Sequence, residues 1–324
     1  MTENLYHNLG LDLVRATEAA ALVAGRWMGL NEANRSDHYA SQAMERVLNL
    51  INIHGRIVLS EIDKLKPDTP LHLHQSVGAG DGPQIDIIVD PIEGRRLLAR
   101  GHPDVISVAV SAPRNAFWDA KPALYMDKIV VDAEVASVLV PECLDAPAGW
   151  TLALVARAKK KEISDLVVFV LSRPRHEELI HEIRQAGARV ILRSDGDIIG
   201  ALQALLPQGG ADIMMGIGRV SEGVIAACAA QAANGAMLGR LTPQSDEELN
   251  AVREAGLDID RVLTMDEMVT SKQVFFAATG VTDGVILQGI HYHSKRATSN
   301  SLLMRGETHT HRDIEATHLL EELD

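Results

Sequence analysis

The stretch "IIVDPIEG" at residues 87–94 puts Asp90 at the end of an apolar run and Glu93 three residues later, across a proline. Two carboxylates held that close repel each other unless one is protonated or a divalent cation lies between them. A solvated turn capped by Asp90 is the competing reading. Other acids stand at other element ends. Glu61 and Asp63 follow an apolar run in "VLSEID", Asp37 opens a helical pattern, and Glu222 falls in the first turn of an alanine-rich one. Taken singly, each has a structural explanation: acids commonly close strands, and a carboxylate at a helix start complements the dipole. Taken together, Asp37, Glu61, Asp90, Glu93 and Glu222 make a set of hard oxygen ligands suited to a two-ion Mg2+ or Mn2+ site. Arg95 and Arg96 follow directly, positive charge where a cation site tolerates it least.

Two further segments suit an anionic, hydroxylated ligand. "RPRHEE" (173–178) sets Arg173 and Arg175 at a strand end and helix start, where backbone N–H groups also favour phosphate. "SDGD" (194–197) places Asp195 and Asp197 around a glycine at the next strand-to-helix turn, to meet sugar hydroxyls or to cap the helix. Three look-alikes fail on spacing. His176 and His181 in "HEELIH" are five apart, unlike the i,i+4 pair of a zinc protease. "GIGRVSEG" has its third glycine too late for a dinucleotide loop. The His-x-His pairs 72/74, 291/293 and 309/311 have no third ligand nearby and read as exposed histidines.

The elements that must position these residues are an alternating series. Helical periodicity covers 9–29 and 36–52. Strand patterns follow at 56–61, 85–90, 105–112 and 128–132, with Pro91 ending the second. A mixed stretch at 133–164 reads as a connection, dividing the chain into a domain at 1–150 carrying most of the metal ligands and one at 151–324 carrying the phosphate- and sugar-binding strand ends. The second half predicts strands at 165–173, 189–196, 211–218 and 273–280. Its helices are predicted at 174–188, 197–206, 221–235 (Ser221 as N-cap, Gly235 as stop) and near 245–256. Continuous apolar strands alternating with helices mean an α/β fold whose sheet places ligands at the carboxyl ends of its strands.

Composition narrows the function. The chain has 324 residues, 46% of them hydrophobic, enough to bury a large core. Its net charge is −13, from 44 acidic and 31 basic residues, with no basic run beyond "KKK" at 159–161. Nucleic-acid binding is therefore not expected, since it needs a clustered basic surface. Two cysteines, Cys143 and Cys228, supply no disulfide framework and fit a reducing compartment. The opening "MTENLYHNLG" lacks a basic stretch leading into an apolar core, and no apolar run approaches membrane-spanning length. The expectation is a cytoplasmic protein without a membrane partner.

The order of motifs resembles the class II, GlpX-type fructose-1,6-bisphosphatases, which also accept sedoheptulose-1,7-bisphosphate. The likeness rests on "GDGPQIDIIVDPIEG", "LYMDKI", "RPRHEELI", "SDGDIIGAL", "MGIG..SEGV", "GRL" and "FFAATGVTDG", in one order over nearly the whole chain. It implies the layered α/β/α/β/α sugar-phosphatase fold shared with inositol monophosphatases, and metal-dependent hydrolysis of the 1-phosphate by activated water. It implies Mn2+ or Mg2+ on Asp37, Glu61, Asp90, Glu93 and Glu222. Catalytic positions fall on Glu61, Asp63 and Arg95. Substrate contacts fall on Glu93, Gly94, Arg95, Tyr125, Arg173, Pro174, Arg175, Asp195, Gly196, Asp197 and Arg219. A homodimer or homotetramer is implied as well. The chain departs from the family pattern at Ala33, Ile62, Asp63, Arg95 and Arg219; Arg95 stands where a Thr or Ser hydroxyl is usual. The second reading of these departures is a catalytically weakened relative that binds sugar phosphate or a partner as a regulator or subunit.

Overall fold

The computed structural model describes residues 8–59 and 69–320; Glu61, Ile62 and Asp63 lie outside the described residues. The chain divides into two compact units, residues 1–116 with 273–324, and residues 117–272. This differs from a cut near residue 150. The C-terminal strands pair back onto the first sheet, and the stretch read as a connection holds a helix of the second unit.

In the first unit, numbering along the whole chain, α1 (Leu9–Ala24) and α2 (Ala33–Leu48) precede β1 (His54–Leu59), β2 (Ser76–Val77), β3 (Gln84–Glu93), α3 (Arg95–Ala99) and β4 (Ile106–Pro113). The chain returns with β11 (Phe275–Gly280), β12 (His291–His293), β13 (Arg296–Arg305) and β14 (Thr310–Leu319). The sheet runs β12-β13-β11-β4-β3-β1-β2, with β14 also on β13. Among the described residues only β1 and β3 are parallel neighbours. α1 packs on α2, β4, β11 and β13, its Leu13, Ala16, Ala20 and Ala24 joining Ile87, Ala109 and Ala277 in one core. The alanines let the helix lie close to the sheet.

β3 corrects one expectation. Pro91 does not end the strand, which continues to Glu93. Asp90 pairs with Val108 and Glu93 with Ile106, so Pro91 and Ile92 together face the single Ser107 in a bulge. β1 pairs with β3 only as far as Ile88, so among the described residues Pro91 meets no strand on that side. The other β3 acid, Asp86, is structural. Buried at 2% exposure, it receives Arg56 at 3.0 Å and Arg114 at 3.1 Å.

The second unit contains β5 (Tyr125–Val131), α4 (Ala148–Lys159), β6 (Val167–Leu171), α5 (Glu177–Gln185), β7 (Arg189–Arg193), α6 (Asp197–Leu205), β8 (Ile213–Arg219), α7 (Val220–Ala232), β9 (Ala236–Leu241), α8 (Asp246–Glu254), β10 (Leu263–Thr264) and α9 (Met265–Met268). Its sheet runs β10-β9-β5-β8-β6-β7. β6, β7 and β8 are parallel, and β5 runs against both β8 and β9. Alternation sorts the faces: Ile129, Val168, Val170 and Met215 meet α4 and α5 through Leu152, Val155 and Ile183, whereas α6 and α7 pack together against the sheet.

Two helix ends also differ from expectation. The N-cap of α7 is Arg219, not Ser221, because the Glu222 carboxylate accepts the Arg219 backbone N–H at 3.0 Å and closes the first turn two residues earlier. The helix stops before Gly235: Asn234 takes the left-handed conformation at φ 58°. The two mixed sheets with their covering helices agree with the expected sugar-phosphatase class. No described helix is long and apolar enough to cross a membrane.

Candidate functional site

In the first unit, β3 carries Asp90 and Glu93 at its end, each 3% exposed. Asp90 Oδ1 accepts the Ile92 N–H at 3.1 Å, fixing its carboxylate across the bulge. Gly94 then takes φ 89°, a left-handed conformation that a side chain resists, and turns the chain straight into α3. That turn separates the two arginines: Arg96 is exposed, while Arg95 folds back toward α2. Its Nη1 lies 3.9 Å from Oδ2 of Asp37, which is 7% exposed. Asp37 is the fifth residue of α2, beyond the first turn, so the helix dipole does not account for it.

In the second unit, the carboxyl ends of β6, β7 and β8 and the start of β5 share one edge of the sheet. Tyr125 is the register partner of Arg219. The guanidinium carbon of Arg175 lies 5.3 Å from the Tyr125 ring centre, and that of Arg219 lies 6.0 Å from it. Arg175 is held by donating from Nε and Nη2 to the Ile217 carbonyl, at 3.2 and 2.8 Å. Burial, with Arg173 nearby, pulls its pKa below the usual arginine value, and Tyr125 opposes that shift. Arg173 meets Asp195 at 3.2 Å. Pro174 opens the 3-10 turn Pro174–His176, and Gly196 caps α6. Among the described residues, neither Arg175 nor Arg219 has a carboxylate within ion-pair distance, although acids outnumber bases in the chain. This edge is therefore electropositive where the strands end, which suits a phosphate.

Asp197 behaves differently from Asp195. It is 3% exposed and turned inward, with Lys128 Nζ 2.5 Å from its Oδ2. Lys128 is fully enclosed. Gly218 permits this approach, because a Cβ there would sit 1.8 Å from Asp197 Oδ2 and 2.3 Å from Lys128 Nζ. Glu222 joins the group: burial, and then the adjacent Asp197, hold its carboxyl well above the usual carboxylate range. Lys128 was not singled out in sequence, although a lysine inside "MDKIVV" is a visible anomaly. Glu248 was missed too. Its Oε1 accepts the Leu124 and Tyr125 N–H groups at 2.7 and 3.0 Å, anchoring the strand start that presents Tyr125.

The sequence profile of bacterial, glpX-encoded fructose-1,6-bisphosphatases matches residues 7–318. The chain belongs to this family. It is 35% identical over 328 residues to the class 2 fructose-1,6-bisphosphatase of Haemophilus influenzae, covering 97% of each chain. It is also 35% identical over 329 residues to fructose-1,6-bisphosphatase 1 class 2 of Escherichia coli K12, covering 98% of this chain and 96% of the relative.

Members of the GlpX family are metal-dependent phosphatases. The donors fit a hard divalent ion in chemistry: Asp37, Asp90 and Glu93 are buried carboxylates, and buried carboxylates need a countercharge. Among the described residues, no three His, Cys, Asp or Glu side chains gather into a metal-binding group. Of the remaining expected ligands, Glu61 lies outside the described residues, as does Asp63, and Glu222 belongs to the second unit. The histidine pairs stay apart from this chemistry: His74, His291, His293, His309 and His311 are exposed.

Proposed function

We propose that the protein hydrolyses fructose-1,6-bisphosphate at its 1-phosphate, in keeping with its whole-length relatives, which are fructose-1,6-bisphosphatases. The observation that carries this reading is the edge where Arg175 and Arg219 flank the Tyr125 ring beside the Arg173–Asp195 pair. Arg173, Arg175 and Arg219 hold phosphate oxygens by charge-assisted hydrogen bonds. Tyr125 and Asp195 face the sugar hydroxyls, while Asp197, braced by Lys128, orders the turn through Gly196. Glu93, Gly94, Arg95 and Pro174 complete the proposed substrate contacts, and Glu61 and Asp63 the proposed catalytic positions.

Asp37, Glu61, Asp90, Glu93 and Glu222 would hold Mn2+ or Mg2+. Such an ion, when bound, makes water a nucleophile near neutral pH and offsets charge on the phosphoryl group. The protein's own part is to fix the phosphate by the arginines of the second unit. The match over almost the full chain favours the enzyme over a binding relative without turnover. A homodimer or homotetramer working in the cytoplasm belongs to the same proposal, and light scattering measures the oligomer.

The test is phosphate release from fructose-1,6-bisphosphate with Mn2+ or Mg2+, scoring the product as fructose 6-phosphate. Release from sedoheptulose-1,7-bisphosphate would widen the substrate range. No release with either ion, alongside measurable sugar-phosphate binding, would sink the enzyme reading.

A further inference from the structure

Among the described residues, Arg95 reaches back to Asp37 of the first unit's acidic set. Gly94 reverses the chain so that Arg96 faces solvent and Arg95 packs against α2, with Nη1 3.9 Å from Asp37 Oδ2 and the two side chains 21% and 10% exposed. A guanidinium keeps its charge at every working pH. In so buried a setting its repulsion of a neighbouring divalent ion is screened far less than in water. We propose that Arg95 is a built-in cation at Asp37, filling by its own charge a position that a divalent ion would otherwise take, so that the protein binds one such ion fewer than its carboxylates allow. This rests on the reading that Asp90 and Glu93 hold metal, and it alters that reading at Asp37, where Arg95 stands in for an ion.

A further observation points the same way. Asp90 already spends one oxygen on the Ile92 N–H, which narrows what β3 can offer a second ion. A covalently tethered charge also cannot dissociate, so the site at Asp37 stays neutralised when free metal is scarce.

Mn2+ uptake by the full-length, metal-stripped protein tests this, by titration calorimetry and by equilibrium dialysis with metal analysis. The proteins are wild type, Arg95→Thr, Arg95→Gln and Arg95→Lys, each checked for native circular dichroism. Arg95→Gln keeps most of the side-chain bulk and serves if Arg95→Thr fails to fold. The expected result is one additional Mn2+ per chain in the neutral variants, or about tenfold tighter binding at the weakest site, with Arg95→Lys resembling wild type. Equal number and affinity in wild type and the neutral variants overturns the proposal, even if the wild type hydrolyses its substrate normally. Failure of every protein to bind Mn2+ overturns the metal reading along with it.

Discussion

His176 accepts the backbone N–H of Ile217 on Nε2 at 2.8 Å. With that nitrogen accepting, Nδ1 carries the proton and donates it to the Leu171 carbonyl at 2.6 Å. One buried ring thus ties the end of β6 to β8, directly beside Arg175. His176→Ala strips both backbone groups of their partner and should cost about 2–3 kcal/mol in urea unfolding. Burial depresses the imidazole pKa below its ordinary value of 6.5. A base whose folded pKa is lowered stabilises fully above its unfolded pKa and loses that contribution as pH falls toward the depressed value. Wild-type stability should therefore decline below about pH 6.5, and His176→Gln should flatten that part of the curve.

Lys128 and Asp197 form an ion pair with almost no access to water. Breaking such a pair from one side leaves a buried charge uncompensated, which costs far more than the pair itself contributes. Lys128→Met is expected to lose about 3–5 kcal/mol, measured by denaturant unfolding. Lys128→Met combined with Asp197→Asn should recover part of that loss. Full stability in the single variant would overturn this account of the pair.

How much of this was legible depended on the range of the interactions. β6, β7 and β8 were readable because each is a short apolar run closed by turn residues, and the arginines and acids at their ends follow in sequence. Pro91 misled because the local rule that proline ends a strand ignores its neighbours. Among the described residues β1 pairs with β3 no further than Ile88, which leaves room beside Pro91 for a residue without an N–H. The units were misjudged because β11 pairs with β4 across more than half the chain, and nothing near residue 273 announces that return. Lys128 was overlooked for the same reason: its partner lies 69 residues away.

Arg219 separates folding from recognition. It caps α7 through its backbone N–H, which any residue supplies, and glycine is well tolerated at that position. Its guanidinium meets only the Tyr125 ring among the described residues. Arg219→Gly should leave the melting temperature within a few degrees and raise KM for the bisphosphate about tenfold or more, the worth of one charge-assisted hydrogen bond. Little change in kcat would mark the residue as a phosphate grip. A collapse of kcat at constant KM would place it in the chemical step instead.

Metal removal tests the acidic set as a whole. Dialysis against a chelator should abolish phosphate release, and Mn2+ or Mg2+ should restore it, because a bound divalent ion is what makes water a nucleophile near neutral pH. Cys143 and Cys228 are both buried, and burial pushes the Cys228 thiol far above its ordinary range, so that thiol is no thiolate nucleophile. Glu93→Gln should remove one charge from the buried set while leaving β3 folded, since Glu93 ends the strand through its backbone pairing with Ile106. Its expected signature is weaker Mn2+ binding and a loss of turnover of at least a hundredfold (about 2.7 kcal/mol), with sugar-phosphate binding by Arg173 and Arg175 retained. Turnover that survives both the chelator and Glu93→Gln would show that the reaction does not run through the acids of β3.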